Sequence, residues 1–121
     1  MAATTTDAVR VSLRVAATET ERAAAIGAWL QATTAAPDRR SIIAEGVLFD
    51  RTGPEGVPLV GLAAGCPCCM GLVALRVALG RTLRSIRPEA VLLVVATAEH
   101  LPRLRRLLES GELGVRFEME D

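Results

Sequence analysis

Three thiols fall within four residues of one another, Cys66, Cys68 and Cys69, in the stretch "AAGCPCCM" from Ala63 to Met70. The chain has no other cysteine. In its thiolate form cysteine binds soft metal ions and attacks disulfides, so a cluster of this kind points to one of those two chemistries. Three thiolates suit Zn²⁺ or Cu⁺. Zinc would take a fourth ligand from water, another side chain or a second chain. Cys66 and Cys69 also satisfy the C-x-x-C spacing of a thiol-disulfide pair, which leaves a redox reading open. A third reading treats the cysteines as small apolar core residues.

Two further side chains are candidates for the fourth metal position. His100 is the only histidine, and it follows a strongly apolar run, "AVLLVVAT". Glu45 closes another apolar run, "SIIAE". Either can equally be an ordinary capping or surface group. Lysine chemistry is excluded outright, because all fourteen basic residues are arginine. No Schiff base and no phosphate-loop lysine is available to this chain.

These groups need elements to position them. "AVRVSLRVAA" (Ala8–Ala17) alternates Val9, Val11, Leu13 and Val15 with polar residues, the period of a half-buried strand. Thr18 and Glu21 then form a capping box that opens a helix with Ala23, Ile26, Trp29 and Leu30 inward, ending before Pro37. "SIIAEGVLF" (Ser41–Phe49) predicts a second strand, interrupted at Gly46, and "DRTGPEG" a turn. "VPLVGLAA" (Val57–Ala64) predicts a third strand that runs directly into the cysteines. Between Gly71 and Arg87, Leu72, Leu75, Leu79, Leu83 and Ile86 recur at steps of three and four, with Arg76, Arg84 and Arg87 off the stripe, as in an amphipathic helix. The continuous apolar run Ala90–Thr97 predicts a strand covered on both faces. A shorter helix follows, with Pro102 in its first turn and Gly111 as its stop. "VRFEME" alternates again and predicts an edge strand with a charged outer face.

The order β-α-β-β-α-β-α-β predicts a three-layer α/β sandwich with a mainly parallel sheet. At 121 residues, half of them apolar, the chain suffices for one domain spanning residues 1–121, with residues 1–7 as a flexible lead-in. In such sheets ligand sites lie beyond the carboxyl ends of the strands, which is where the cysteines would stand. The amide groups opening the following helix would there favour thiolate over thiol.

The same segment carries a family resemblance. "GVPLVGLAAGCPCCMGLVALRVALGRTLRSIRPEAVLLVVAT" resembles the region around the C-x-C-C motif of CobW-type metallochaperone GTPases, in which a strand ends in Gly-Cys-x-Cys-Cys before an amphipathic helix and a buried strand. Gly65, Cys66, Cys68 and Cys69 match that motif position by position, and "IIAEG" sets Glu45 in the place of an acidic residue of the family. The resemblance runs from about Val57 to Thr97. It implies a P-loop-GTPase-like fold and cysteines that bind zinc, cobalt or a related ion. The rest of the family pattern is missing. Where the first strand should open into a glycine-rich loop ending in Gly-Lys-Thr, the chain has "AATETERAAA". No glycine there lets amides approach a phosphate, no lysine reaches it, and Glu19 and Glu21 would repel it. The guanine-recognition motif is absent too.

The expectation is therefore a truncated, degenerate P-loop-like domain that binds zinc, or copper or cobalt, with no nucleotide and no GTP hydrolysis. Cys66, Cys68 and Cys69 would be ligands, with His100 or Glu45 as the fourth. A thiol-disulfide protein and a non-catalytic interaction module are the alternatives. Partners would be the metal ion and either a second copy or a full-length GTPase or metalloprotein. The balance of fourteen acids against fourteen bases argues against nucleic acid or an anionic membrane. With no run of about eighteen apolar residues and no secretory leader, a cytoplasmic location is the default expectation.

Overall fold

The computed structural model describes residues 8–33, 35–47, 50–62 and 69–120, with the backbone alone at 37, 69–72 and 100. Six strands and three α-helices follow one another as β1 (Ala8–Val15), α1 (Glu19–Ala32), β2 (Arg40–Glu45), β3 (Arg51–Thr52), β4 (Pro58–Leu62), α2 (Cys69–Ser85), β5 (Ala90–Val95), α3 (Leu101–Glu109) and β6 (Arg116–Glu120). Short 3-10 turns at Pro37–Arg39, Pro54–Gly56 and Ala98–His100 complete the chain's regular structure among the described residues.

One sheet holds all six strands in the order β3-β4-β2-β5-β1-β6. Every pairing is parallel except the short β3 against β4. β5 lies between β1 and β2, and each of its six residues is buried. That is why "AVLLVV" needs no polar alternation: both faces are covered, and a polar side chain on either would lose its water.

The two faces carry separate cores. Ile43, Val91 and Leu93 point to the side where Leu75, Leu79 and Leu83 of α2 pack beside Leu104, Leu107 and Leu108 of α3. Their sequence neighbours Ile42, Leu92 and Val94 point the other way, onto Ile26, Trp29 and Leu30 of α1. Two helices on one face and one on the other make the sandwich three-layered. The capping box opening α1 forms as the sequence predicts. Ala23 does not turn inward but stands exposed. In an alanine-rich helix, three large residues, Ile26, Trp29 and Leu30, set the buried face, and one methyl adds too little area to rotate it.

β1 and β2 stop two and four residues short of the predicted ends, and Leu48–Phe49 and Ala63–Ala64, which the predicted strands included, lie outside the described residues. Residues 1–7 lie outside them as well. The turn predicted in "DRTGPEG" contains the unexpected β3, a two-residue antiparallel strand that pairs Arg51 with Leu59 and Thr52 with Pro58 at the sheet's edge. β6 is the opposite edge, its half-buried Phe117 and Met119 alternating with exposed Arg116, Glu118 and Glu120. None of the described helices is long and apolar enough to cross a membrane.

Candidate functional site at the carboxyl edge of the sheet

The segment from Ala63 to Cys68 joins the carboxyl end of β4 to the start of α2. Cys66 and Cys68 lie within it, outside the described residues. Cys69 is the first residue of α2, known here by its backbone. The other two candidates stand on the same edge. Glu45 is the last residue of β2, in register with Leu62, the last residue of β4. His100 ends the 3-10 turn that follows β5, and its side chain is not among those described. Since β2 and β5 are neighbours, Glu45, at the end of β2, and the backbone of His100, in the turn after β5, stand at the carboxyl edge of adjacent strands, beside the end of β4. The alternation of strands and helices already predicts Glu45 and His100 on this edge, and the strand order makes β2 and β5 direct neighbours.

Glu45 already has a partner at this edge. Its Oε1 accepts a hydrogen bond of 2.6 Å from the backbone N–H of Ala96, just past β5. Gly46 continues the edge by donating its N–H to the Leu62 carbonyl at 2.8 Å, and Ala16 donates to Val95 at 2.8 Å. The carboxylate therefore clips β2 to β5 where the ladder of backbone bonds runs out. Gly46 sits at φ +92°, and a Cβ there would stand 2.5 Å from the guanidinium of Arg22. The positive φ favours glycine at the position, whereas the Arg22 side-chain tip could swing aside. Among the described residues, no group of three or more His, Cys, Asp and Glu is placed to hold a metal ion.

The turn between β1 and α1 is the place where a phosphate-binding loop would lie in the family the cysteine segment resembles. Here three amides around the helix start, those of Ala17, Thr18 and Glu21, are taken by the chain itself. Oε1 of Glu21 accepts from the N–H of Ala17 at 2.8 Å and from that of Thr18 at 3.3 Å. Thr18 Oγ1 returns the bond, accepting from the Glu21 N–H at 3.1 Å. A carboxylate thus occupies the position of greatest attraction for an anion.

The comparisons add no relative. No protein-family model, curated protein or solved structure matches this chain. The likeness to CobW-type proteins rests on the cysteine motif and its strand–helix–strand setting.

A recess of about 680 Å³ lies between α1 and the Arg51–Glu55 stretch. It exists because the connection from β2 to β4 contains β3 and a 3-10 turn instead of a helix, leaving this side of the sheet partly uncovered. Ile26, Leu30 and Leu59 line it, and its charged residues balance, Arg22 and Arg51 against Glu19 and Glu55. Thr52 also lines it, and the cysteine side chains lie outside those described.

Proposed function

We propose that the protein is a CobW-like metal-binding domain that carries a thiophilic ion, zinc first, and performs no GTP hydrolysis. Cys66, Cys68 and Cys69 serve as ligands, and His100 or Glu45 supplies the fourth. A truncated, degenerate P-loop-like topology underlies the domain. The observation that supports the reading is that Glu45, at the end of β2, and His100, in the turn after neighbouring β5, stand on the sheet edge where β4 leads into the cysteine segment.

The donor set fits the ion. Three thiolates with one imidazole or carboxylate make a tetrahedral zinc site. Cys69 begins a helix, the end of the element where the dipole is positive. Glu45 has one carboxylate oxygen engaged by Ala96, which leaves the other for a ligand role or for orienting one. Glu21 supports the nucleotide-free half of the reading: its carboxylate holds the amides a phosphate would need.

The test is metal per chain on protein purified under reducing conditions, repeated with Cys66→Ser, Cys68→Ser and Cys69→Ser. Close to one zinc per chain in the parent and its loss in each variant are expected. A reduced parent that retains neither zinc nor copper would sink the reading. The thiol-disulfide alternative is separated by alkylation rate, since it requires a depressed thiol pKa and a reversible Cys66–Cys69 disulfide. If a second copy supplies the fourth ligand, added zinc will shift the protein to a dimer in light scattering.

A further inference from the structure

The chain is neutral as a whole, yet its charge is unevenly placed. α2 and α3 lie on the same face of the sheet and carry Arg76, Arg81, Arg84, Arg103, Arg105 and Arg106 against a single carboxylate, Glu109. All six arginines are exposed. Two of the three exposed large apolar residues among those described stand in their midst: Val73, 52% exposed, and Val77, 54% exposed, one helical turn apart on α2. A groove of about 350 Å³ runs between the helices, lined by Val73, Arg76, Arg103, Arg106, Leu107 and Glu112 among others.

The groove already holds one carboxylate. Glu112, from the turn after α3, forms a salt bridge with Arg76. Arg103 and Arg106 form none among the described residues. Guanidinium groups around exposed valines ask for a partner bearing carboxylates and aliphatic side chains together. Apolar residues spaced at i and i+4 on a helix match Val73 and Val77, and acidic residues flanking that stripe reach the arginines on either side. A nucleic-acid backbone would satisfy the arginines but would bury the valines against phosphate, and no aromatic side chain is exposed on these helices for base stacking. Among the described residues of these helices an anionic bilayer would meet two exposed valines only, with no exposed aromatic or long aliphatic residue to insert.

We propose that the α2–α3 face docks an acidic amphipathic helix of a partner protein. The partner lays its apolar stripe along Val73 and Val77 and its carboxylates on Arg103, Arg106 and Arg81. This inference is independent of the metal reading, although the docked helix would lie along the helix that Cys69 begins.

The probe is a labelled helical peptide of about fifteen residues with leucines at i, i+4 and i+7 and glutamates on both flanks, followed by fluorescence anisotropy. Its leucine-to-glutamine version, a duplex DNA and phosphatidylserine vesicles serve as comparisons. The acidic peptide should bind, weaken as salt is raised, and lose at least about tenfold in affinity to the Arg103→Glu/Arg106→Glu protein. Val77→Asp should weaken it by a similar factor, while Arg39→Glu, at the amino end of the sheet, should leave it unchanged. Exchanging the peptide's glutamates for lysines should restore binding to the charge-reversed protein. If the double reversal fails to fold by circular dichroism, Val77→Asp at its exposed position carries the test alone. The proposal is overturned if the peptide binds no tighter than its glutamine version, if binding survives these substitutions, or if DNA or vesicles compete it away.

Discussion

Replacing Glu45 separates its two possible duties, strand clip and metal ligand. The Glu45→Ala variant removes the acceptor for the Ala96 N–H, a bond of 2.6 Å that joins positions 51 residues apart. A hydrogen bond to a charged group contributes about 1.5–3 kcal/mol, and a neutral one roughly half as much. With an unfolding entropy of about 2.1 cal/mol/K per residue, 121 residues give about 250 cal/mol/K, so 1 kcal/mol corresponds to about 4 °C in Tm. Glu45→Ala should therefore lower Tm by about 6–12 °C. Glu45→Gln keeps an amide oxygen to accept the bond and should cost about half of that. Both are read by circular-dichroism melts in the presence of a chelator, which isolates the clip from any bound ion. Zinc retention is then measured on the same variants at a temperature where both are folded. If Glu45 is the fourth ligand, Glu45→Gln will lose zinc out of proportion to its small loss of stability; if His100 is, zinc will be retained. The reasoning fails if Glu45→Ala melts within about 2 °C of the parent, or if Gln is as damaging as Ala.

Other substitutions probe the rest of the frame. Glu21→Ala should destabilise the fold by about 1–2 kcal/mol in urea titrations, since Ala17 and Thr18 lose their shared acceptor, and should confer no GTP binding in equilibrium dialysis. Gly61→Ala should cost about 1–3 kcal/mol, because the new methyl would overlap the Val47 carbonyl, with its carbon 2.9 Å away, and backbone yields less readily than a side-chain tip. Arg40→Met should be neutral or stabilising by the same titration. Arg40 is 5% exposed, its Nε has no partner among the described residues, and its ion pair with Glu55 is a loose 3.6 Å. A loss above about 2 kcal/mol would show instead that the Arg40 contacts to Leu30 and Glu55 outweigh the burial of its charge.

The legible parts of this fold were those whose cause is local. The Thr18–Glu21 capping box closes within one helical turn, so four residues suffice to read it. The leucine stripe of α2 and the unbroken apolar run of β5 report their burial through period alone, and Gly111, at φ +78°, marks the end of α3 as expected. The alternation in "VRFEME" announced an edge strand because only one of its faces has anything to pack against. Ala23 was misjudged because an alanine constrains helix rotation weakly. β3 was missed because two residues are too short for any period to show, and pairing with β4 is what makes them a strand.

By itself, the sequence established that three thiols cluster where a strand hands over to a helix, that no lysine exists to grip a phosphate, and that strands and helices alternate. Each of these depends on residue identity or on neighbours within a few positions. The strand order β3-β4-β2-β5-β1-β6 was decided only by the tertiary structure, and with it the direct adjacency of β2 and β5, the clip from Glu45 to Ala96, and the one-sided field of arginines. The physical reason is that parallel pairing joins strands far apart in the chain. Which strand lies beside which is set by how both apolar faces of the whole sheet are buried at once, and no local pattern encodes that sum.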